Sequence, residues 1–215
     1  MKLDKNSRLV MAGDSITDAG RAQPAGEGLG GALGTGYVGL IDALLGAAYP
    51  ELGVRVVNKG TGGNTVRDLE ARWQADVMDQ RPDWVSVMIG TNDVWRQFDS
   101  PTRPEQAVPL EEYAQTLDAL IARTRPAVTG LVLLTPFYIE PNRRDPMRAR
   151  MDEYGAAVRA VARRHDALFV DTQAFFDAAL ASCYPATLAW DRVHPSLTGH
   201  MILARAFLNG VDFEW

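Results

Sequence analysis

The chain has 215 residues, of which 47% are hydrophobic and 23% are charged, and its formal net charge is −5. A chain of this length and composition can bury a full hydrophobic core, which excludes a disordered, collagen-like or disulfide-stapled protein. The acidic balance argues against a nucleic-acid-binding protein, which usually carries a basic surplus. The single cysteine, Cys183, permits no internal disulfide or cysteine-based zinc site, and we expect a small buried or interface residue there.

The amino terminus reads MKLDKNSRLVMAGDS, and its charges continue to Arg8. It therefore lacks the uninterrupted apolar run of a signal peptide. No stretch of about 20 apolar residues is long enough to cross a bilayer. These features predict a cytoplasmic protein without a membrane partner.

Five short apolar runs, rich in Val, Ile and Leu, alternate with helical patterns along the chain. Apolar runs of this length suit strands that are buried on both faces. The alternation shows no repeat and no polar linker, so it predicts one α/β domain over residues 1–215, a parallel sheet between helices. The predicted elements, in chain order, are a strand over 9–12, a helix over 38–48, a strand over 54–57, a helix over 65–80, a strand over 84–89, a helix over 110–125, a strand over 131–134, a helix over 146–165, a strand over 168–170 and a helix over 196–208.

A glycine-rich segment matches the dinucleotide-binding fingerprint G-x-G-x-x-G at Gly26, Gly28 and Gly31. A dinucleotide site needs these glycines in the tight turn that directly follows the first strand. Here the strand ends at Gly13, well before Gly26, so the segment is predicted to be a flexible loop.

Ser15 is the serine best placed to contact a ligand. It follows the first strand, and ligands bind at the carboxyl ends of such strands. Position alone favours a helix-capping role. None of the six serines lies in G-x-S-x-G, so the nucleophile elbow of the α/β-hydrolase fold is absent.

The three histidines occupy different contexts. His165 ends a charged helix and is expected on the solvated surface, whereas packing within the last helix explains His200. His194 follows Asp191 by three residues, so the carboxylate can fold back onto the ring, fix its tautomer and leave the other nitrogen free to accept a proton. A lone D-x-x-H pattern is weak support for function. The histidines lack a spacing such as H-x-x-x-H, which argues against a metal-dependent deacetylase.

Four sequence blocks nevertheless occur together. They are Gly13-Asp14-Ser15, Gly60-Thr61-Gly62-Gly63-Asn64, Gly90-Thr91-Asn92-Asp93 and Asp191-Arg192-Val193-His194. In this order they resemble the SGNH hydrolases, the GDSL-type esterases named for Ser, Gly, Asn and His. The resemblance spans residues 13–194. It implies a flavodoxin-like three-layer α/β/α sandwich with a five-stranded parallel sheet, and ester hydrolysis without a cofactor or metal.

The resemblance also implies roles for individual residues. Ser15 would attack the ester, His194 would accept its proton, and Asp191 would orient and stabilise the imidazolium. The Ser15 and Gly63 backbone N–H groups and the Asn92 side-chain amide would bind the oxyanion. Taken singly, Gly63 is explained equally by a turn and Asn92 by a helix cap.

A narrower resemblance, to bacterial SGNH acetylxylan esterases, rests on further segments that include residues 34–38, 63–69 and 189–195. It implies an intracellular enzyme that removes acetyl groups from xylo-oligosaccharides. It also implies a homo-oligomer larger than a dimer, for example an octamer. The aromatic residues between Phe207 and Trp215 support an oligomer, because a monomer is expected to leave them exposed.

The sequence identifies the residues of the sugar-binding pocket less clearly than the catalytic residues. Trp95, Tyr138 and Trp190 are placed in loops near the catalytic face, where aromatic rings suit sugar C–H surfaces, although core packing or subunit contacts also explain them. The absence of an apolar lid favours a small acyl group. A general short-chain esterase, thioesterase or lysophospholipase remains an alternative function, as does a non-catalytic module that binds a carbohydrate or nucleotide.

Overall fold

A computed structural model describes all residues from Met1 to Trp215 and contains one five-stranded sheet in the order β2-β1-β3-β4-β5. Every pair of adjacent strands is parallel. The strands are almost entirely buried, as expected for a parallel sheet covered on both faces. The predicted five-stranded parallel sheet is confirmed. The strands are β1 (Arg8–Gly13), β2 (Arg55–Gly60), β3 (Trp84–Met88), β4 (Gly130–Leu134) and β5 (Leu168–Val170).

Nine α-helices accompany the sheet. They are α1 (Ser15–Asp18), α2 (Tyr37–Ala48), α3 (Val66–Asp76), α4 (Thr91–Asp99), α5 (Leu110–Thr124), α6 (Pro146–Arg164), α7 (Thr172–Leu180), α8 (Pro185–Leu188) and α9 (Leu197–Gly210). They pack in two groups: α2 and α7 each contact α9, whereas α5 contacts α3 and α6. The sheet lies between helices, which gives the predicted three-layer sandwich.

The short helices α1, α4, α7 and α8 are missing from the prediction. Each is nine residues or shorter, too short for a clear period of 3.6 in the apolar residues. The helix predicted over 65–80 is longer than the helix in the structure. It ends at Asp76, and a separate 3₁₀ turn covers residues 78–80.

Two glycines shape the edge of the sheet at which the strands end. Gly13 of β1 and Gly60 of β2 are register partners. A Cβ on Gly13 would lie 2.2 Å from Thr17 Oγ1, and one on Gly60 would lie 2.1 Å from Asp18 N. Only glycine therefore lets α1 lie directly against the ends of both strands. This close approach places Ser15, the first residue of α1, at the carboxyl edge of the sheet.

The core is one cluster of 52 buried hydrophobic residues that extends from the sheet to the carboxyl terminus. Phe207 and Phe213 belong to it, so the expectation that the terminal aromatics are exposed is wrong for both, and only Trp215 is largely exposed. Cys183 is exposed, so of the two expected settings the buried one is wrong, whereas the interface one stays a prediction. No helix is both long enough and apolar enough to span a membrane.

Candidate active site

The nucleophile candidate Ser15 begins α1, and the residue before it caps this helix. Asp14 Oδ1 accepts a hydrogen bond of 3.0 Å from Ile16 N. The capping role that position alone suggested for Ser15 is therefore filled by Asp14, and the Ser15 hydroxyl is free for another partner. The Ser15 N–H lies in the first turn of α1, where backbone amides have no intrahelical acceptor.

Ser15, His194 and Asp191 form a continuous hydrogen-bonded series. Ser15 Oγ lies 2.9 Å from His194 Nε2, although 179 positions separate the two residues in the chain. His194 Nδ1 lies 2.6 Å from Asp191 Oδ2. The structure thus brings together the three residues that the sequence assigns to catalysis. In this arrangement Nδ1 carries a hydrogen toward the carboxylate and Nε2 can accept the proton of the hydroxyl.

The loop that precedes α9 holds Asp191 and His194 in this relation. Asp191 Oδ1 accepts hydrogen bonds from the backbone N–H groups of Val193, at 3.0 Å, and of His194, at 2.7 Å. Burial by itself would raise the pKa of Asp191, but the hydrogen bonds from the His194 ring and from these two amides outweigh it and lower the pKa. Asp191 is therefore a carboxylate that can stabilise a protonated His194.

The loop between β2 and α3 carries Gly63 and is fastened to the end of β1 and to α1. Thr61 N donates to Gly13 O at 3.1 Å, and Gly62 N donates to Asp18 Oδ2 at 3.3 Å. Gly63 has φ +76°, a backbone conformation that favours glycine, and no atom lies within 4 Å of the place its Cβ would take. Its N–H donates to no group of the chain. The Gly63 amide therefore remains available to a ligand.

Asn92, the second residue of α4, has a side chain that is held from both sides. Its Nδ2 donates to Asn64 O at 3.0 Å, and its Oδ1 accepts from Arg96 Nη2 at 3.3 Å. One Nδ2 hydrogen remains unused, because a side-chain amide carries two. Gly90 occupies the N-cap position of α4, so the helix-cap explanation of Asn92 is wrong.

The three predicted substrate-binding aromatics lie in different settings. Trp95 belongs to α4, not to a loop as predicted, and its ring centroid lies 5.8 Å from that of His194. Trp95 and Tyr138 line a cavity of about 400 Å³, together with Phe98. Trp190, adjacent to Asp191 in the sequence, is 89% exposed. Trp95 and Tyr138 therefore share one cavity, whereas Trp190 lies on the open surface.

The other two histidines have structural partners. His165 Nε2 lies 2.8 Å from Asp118 Oδ1 and its side chain is only 15% exposed, so the expected solvated position is wrong. His200 Nδ1 accepts from Tyr37 N at 3.2 Å, and burial lowers the pKa of His200 to about 4. His200 thus joins α9 to the start of α2, as the packing prediction expected.

Two further carboxyl groups lie in the same sequence blocks but were given no chemical role. Burial raises the pKa of Asp14 to about 6, against the Ile16 N–H hydrogen bond and the charge of His194, which lower it. Burial also raises the pKa of Asp93 to about 7. Asp93 Oδ1 accepts from Val66 N at 3.0 Å, and its Oδ2 is buried without a partner. The sequence could have indicated a carboxyl group with a raised pKa at both positions, because each aspartate lies where a buried strand leads into a helix.

The glycine-rich segment is a loop, as predicted. Gly28 and Gly31 both have positive φ, and they line a surface cavity of about 310 Å³ apart from Ser15. No group of three or more histidine, cysteine, aspartate or glutamate side chains is arranged to hold a metal ion.

Similarity to known proteins covers the whole chain. Residues 11–202 match the GDSL-like Lipase/Acylhydrolase family. The chain is 61% identical over 215 residues to an acetylxylan esterase of Geobacillus stearothermophilus, an alignment that covers 100% of this chain and 98% of the relative. An α/β hydrolase from the metagenome of Lake Arreo has a TM-score of 0.98 at 56% identity, with 99% and 98% of the two chains covered.

Crystal structures of the Geobacillus esterase superpose on this chain with a TM-score of 0.99 and 60% identity, and cover 100% of this chain and 98% of the other. Three of them are described as catalytic mutants of that enzyme and carry S15A, H194A and D191A. The same residue types stand at positions 15, 194 and 191 of this chain.

The buried carboxyl group of Asp93 predicts a pH-dependent stability. Its pKa of about 7 is above the ordinary value of 3.8, so the folded chain holds a proton that the unfolded chain loses. The free energy of unfolding therefore falls as pH rises from about 4 to about 7. Asp93→Asn, which resembles the protonated form, should remove the part of this fall that Asp93 causes and gain up to about 4 kcal/mol over the parent at pH 8.

Urea unfolding of the parent chain and of Asp93→Asn at pH 5 and pH 8 measures this effect. The stability advantage of the variant should be much larger at pH 8. An advantage that is equal at both pH values would contradict a raised pKa for Asp93.

Proposed function

Because the chain belongs to the GDSL-like lipase/acylhydrolase family of ester hydrolases, we propose that it removes acetyl groups from acetylated xylo-oligosaccharides. The observation that carries the proposal is the hydrogen-bonded series Ser15–His194–Asp191. The catalytic mutants of the Geobacillus relative at the three equivalent positions support the same assignment.

In the proposed acylation step, Ser15 Oγ attacks the acetyl carbonyl carbon while His194 Nε2 accepts the hydroxyl proton. The carbonyl π electrons move to the oxygen and form an oxyanion. Collapse of this intermediate breaks the bond to the sugar oxygen, which takes the proton from His194 and leaves as an alcohol. Asp191 stabilises the imidazolium between these transfers. In the second step water attacks the acetyl-enzyme by the same route, releases acetate and restores Ser15.

The oxyanion is assigned to the Ser15 N–H, the Gly63 N–H and the free Nδ2 hydrogen of Asn92. All three are neutral donors, and none has to give up a bond within the chain to bind the oxygen. Donors that are fixed before the reaction cost no reorganisation when the charge forms.

The sugar is assigned to the side of His194, since this residue must protonate the leaving oxygen. The cavity that contains Trp95 and Tyr138 lies on that side, because the Trp95 ring neighbours the His194 ring. Its aromatic walls suit the C–H faces of a pentose. The exposed Trp190 is proposed to contact sugar units farther from the reacting ester.

The first prediction concerns the acyl group and the acceptor. The parent chain should hydrolyse acetylated xylo-oligosaccharides and aryl acetates, and its kcat/KM should fall steeply from acetate to butyrate and octanoate. The reason is that the cavity lined by Trp95 and Tyr138 also carries Asp99 and Asp145, whose carboxyl groups disfavour a long apolar chain. Acetate release and aryl ester turnover measure these rates, with Ser15→Ala as the inactive control. Comparable activity on octanoate, without release of sugar-bound acetate, would favour a general esterase or lysophospholipase.

The second prediction tests the oxyanion donor. Asn92→Ala should lose on the order of 10²–10³ in kcat on an aryl acetate, whereas KM should change only a few-fold. Asn92→Asp should lose as much or more, because a carboxylate would repel the developing charge. Steady-state kinetics, with thermal unfolding to check the fold, measure both variants. Full activity of Asn92→Asp would exclude the proposed role.

We also propose that the chain forms a cytoplasmic homo-oligomer larger than a dimer. Support comes from large apolar side chains that one chain leaves exposed, since such residues often mark interfaces. They include Leu29, Tyr184, Leu197 and Trp215.

The third prediction is that light scattering at micromolar concentration gives more than twice the chain mass of 23.5 kDa. Trp215→Ser, which removes an apolar surface but no catalytic group, should lower that mass. A stable monomer of the parent chain would contradict the proposal.

A further inference from the structure

Arg72 lies on α3 and is largely buried, with 17% of its side chain exposed. Its guanidinium donates four hydrogen bonds in three directions. Nε donates to Asn64 Oδ1 at 2.6 Å, and Nη2 donates to Gly13 O at 2.8 Å. Nη1 donates to Lys59 O at 2.8 Å and to Asp76 Oδ2 at 2.9 Å. No sequence block included this residue.

The acceptors of Arg72 belong to the segments that carry the proposed catalytic groups. Gly13 O is the last carbonyl of β1, two residues before Ser15, and Lys59 O lies near the end of β2. Asn64 directly follows Gly63. One planar group therefore connects the strand that leads to the nucleophile with the loop that supplies an oxyanion donor.

The connection continues to the second donor. Asn64 accepts from Arg72 through its side chain, and its backbone oxygen accepts from Asn92 Nδ2 at 3.0 Å. A rotation of Asn64 would therefore move the Gly63 amide and remove the partner that orients the Asn92 amide. The two donors are coupled to each other through Asn64, and Asn64 is held by Arg72.

We propose that Arg72 is a positioning residue for ester hydrolysis: through Asn64, it holds the Gly63 N–H and the Asn92 amide in the geometry that binds the oxyanion. The proposal rests on the proposed function, because it takes Gly63 and Asn92 as the oxyanion donors. Arg72 itself touches no reacting atom in this scheme.

Arginine suits this position for a geometric reason. Its planar guanidinium presents donors in fixed directions, so one side chain can reach a side-chain oxygen and two strand carbonyls at once. Asp76 fixes the orientation of the fork, and it also pairs with Lys59 Nζ at 3.4 Å. A lysine at position 72 could keep the charge but not the three directions.

The test uses hydrolysis of an aryl acetate by Arg72→Gln. We expect kcat to fall about 10- to 100-fold with KM within about three-fold, because the loss affects a group that acts in the transition state. Arg72→Lys should show a similar fall. The matched control is Trp73→Phe, at the next position of α3. It removes the hydrogen bond that Trp73 Nε1 donates to Thr124 Oγ1 of α5. This control should lose stability but keep kcat.

A double-mutant cycle separates positioning from a general loss of structure. If Arg72 acts through both oxyanion donors, Arg72→Gln should lower kcat by a clearly smaller factor in an Asn92→Ala background than in the parent, because only the Gly63 N–H is then left to be displaced. Additive losses, or an unchanged kcat in Arg72→Gln, would overturn the proposal.

A second variant keeps the test decisive if the Arg72 variants do not fold. Asn64→Ala removes only the side-chain acceptor from a half-buried loop residue, and it should show the same fall in kcat and the same coupling to Asn92. Full activity of Asn64→Ala would overturn the proposal.

The aryl acetate assay does not depend on the sugar, so a parent chain that hydrolyses aryl acetate but not acetylated xylo-oligosaccharides would refute the proposed substrate alone.

Discussion

Much of the site depends on the contact between α1 and the paired strand ends at Gly13 and Gly60. Any side chain at either position would collide with α1, by the distances given for their Cβ atoms. This contact fixes the start of α1, and therefore Ser15, beside the loop that carries Gly63. The parallel order of the strands then places Asn92, which follows β3, next to the same loop. Three distant segments converge because the strands that precede them are neighbours.

Electrostatics constrain the same region. Asp14 and Asp93 are buried carboxyl groups next to Ser15 and Asn92, and charges there would oppose an oxyanion. Burial raises the pKa of both, so each carries less negative charge at a given pH than an exposed aspartate would. Asp191 differs, because hydrogen bonds to its oxygens lower its pKa, and it is the carboxylate that faces His194. Environment thus gives chemically identical groups different acidities, raised pKa values for Asp14 and Asp93 and a lowered pKa for Asp191.

The sequence predicts the sheet well, because buried parallel strands appear as separate apolar runs. It also predicts the Ser15–His194–Asp191 series, since the blocks that carry these residues occur together in one order. It misses features that arise from packing. Helix α4 is too short to show a period, and nothing in the sequence near Arg72 reveals that its acceptors lie on three other segments. The burial of Phe207 and Phe213 likewise depends on which surface α9 covers.

Donors from three segments are proposed to meet at one oxygen beside Ser15. A crystal structure of the chain after reaction of Ser15 with a methylphosphonate ester tests it most directly, because the phosphoryl oxygen stands in for the oxyanion. This oxygen should lie roughly 2.7–3.1 Å from Ser15 N, Gly63 N and Asn92 Nδ2. A phosphoryl oxygen that points to solvent or contacts other groups, or an adduct on another serine, would contradict it.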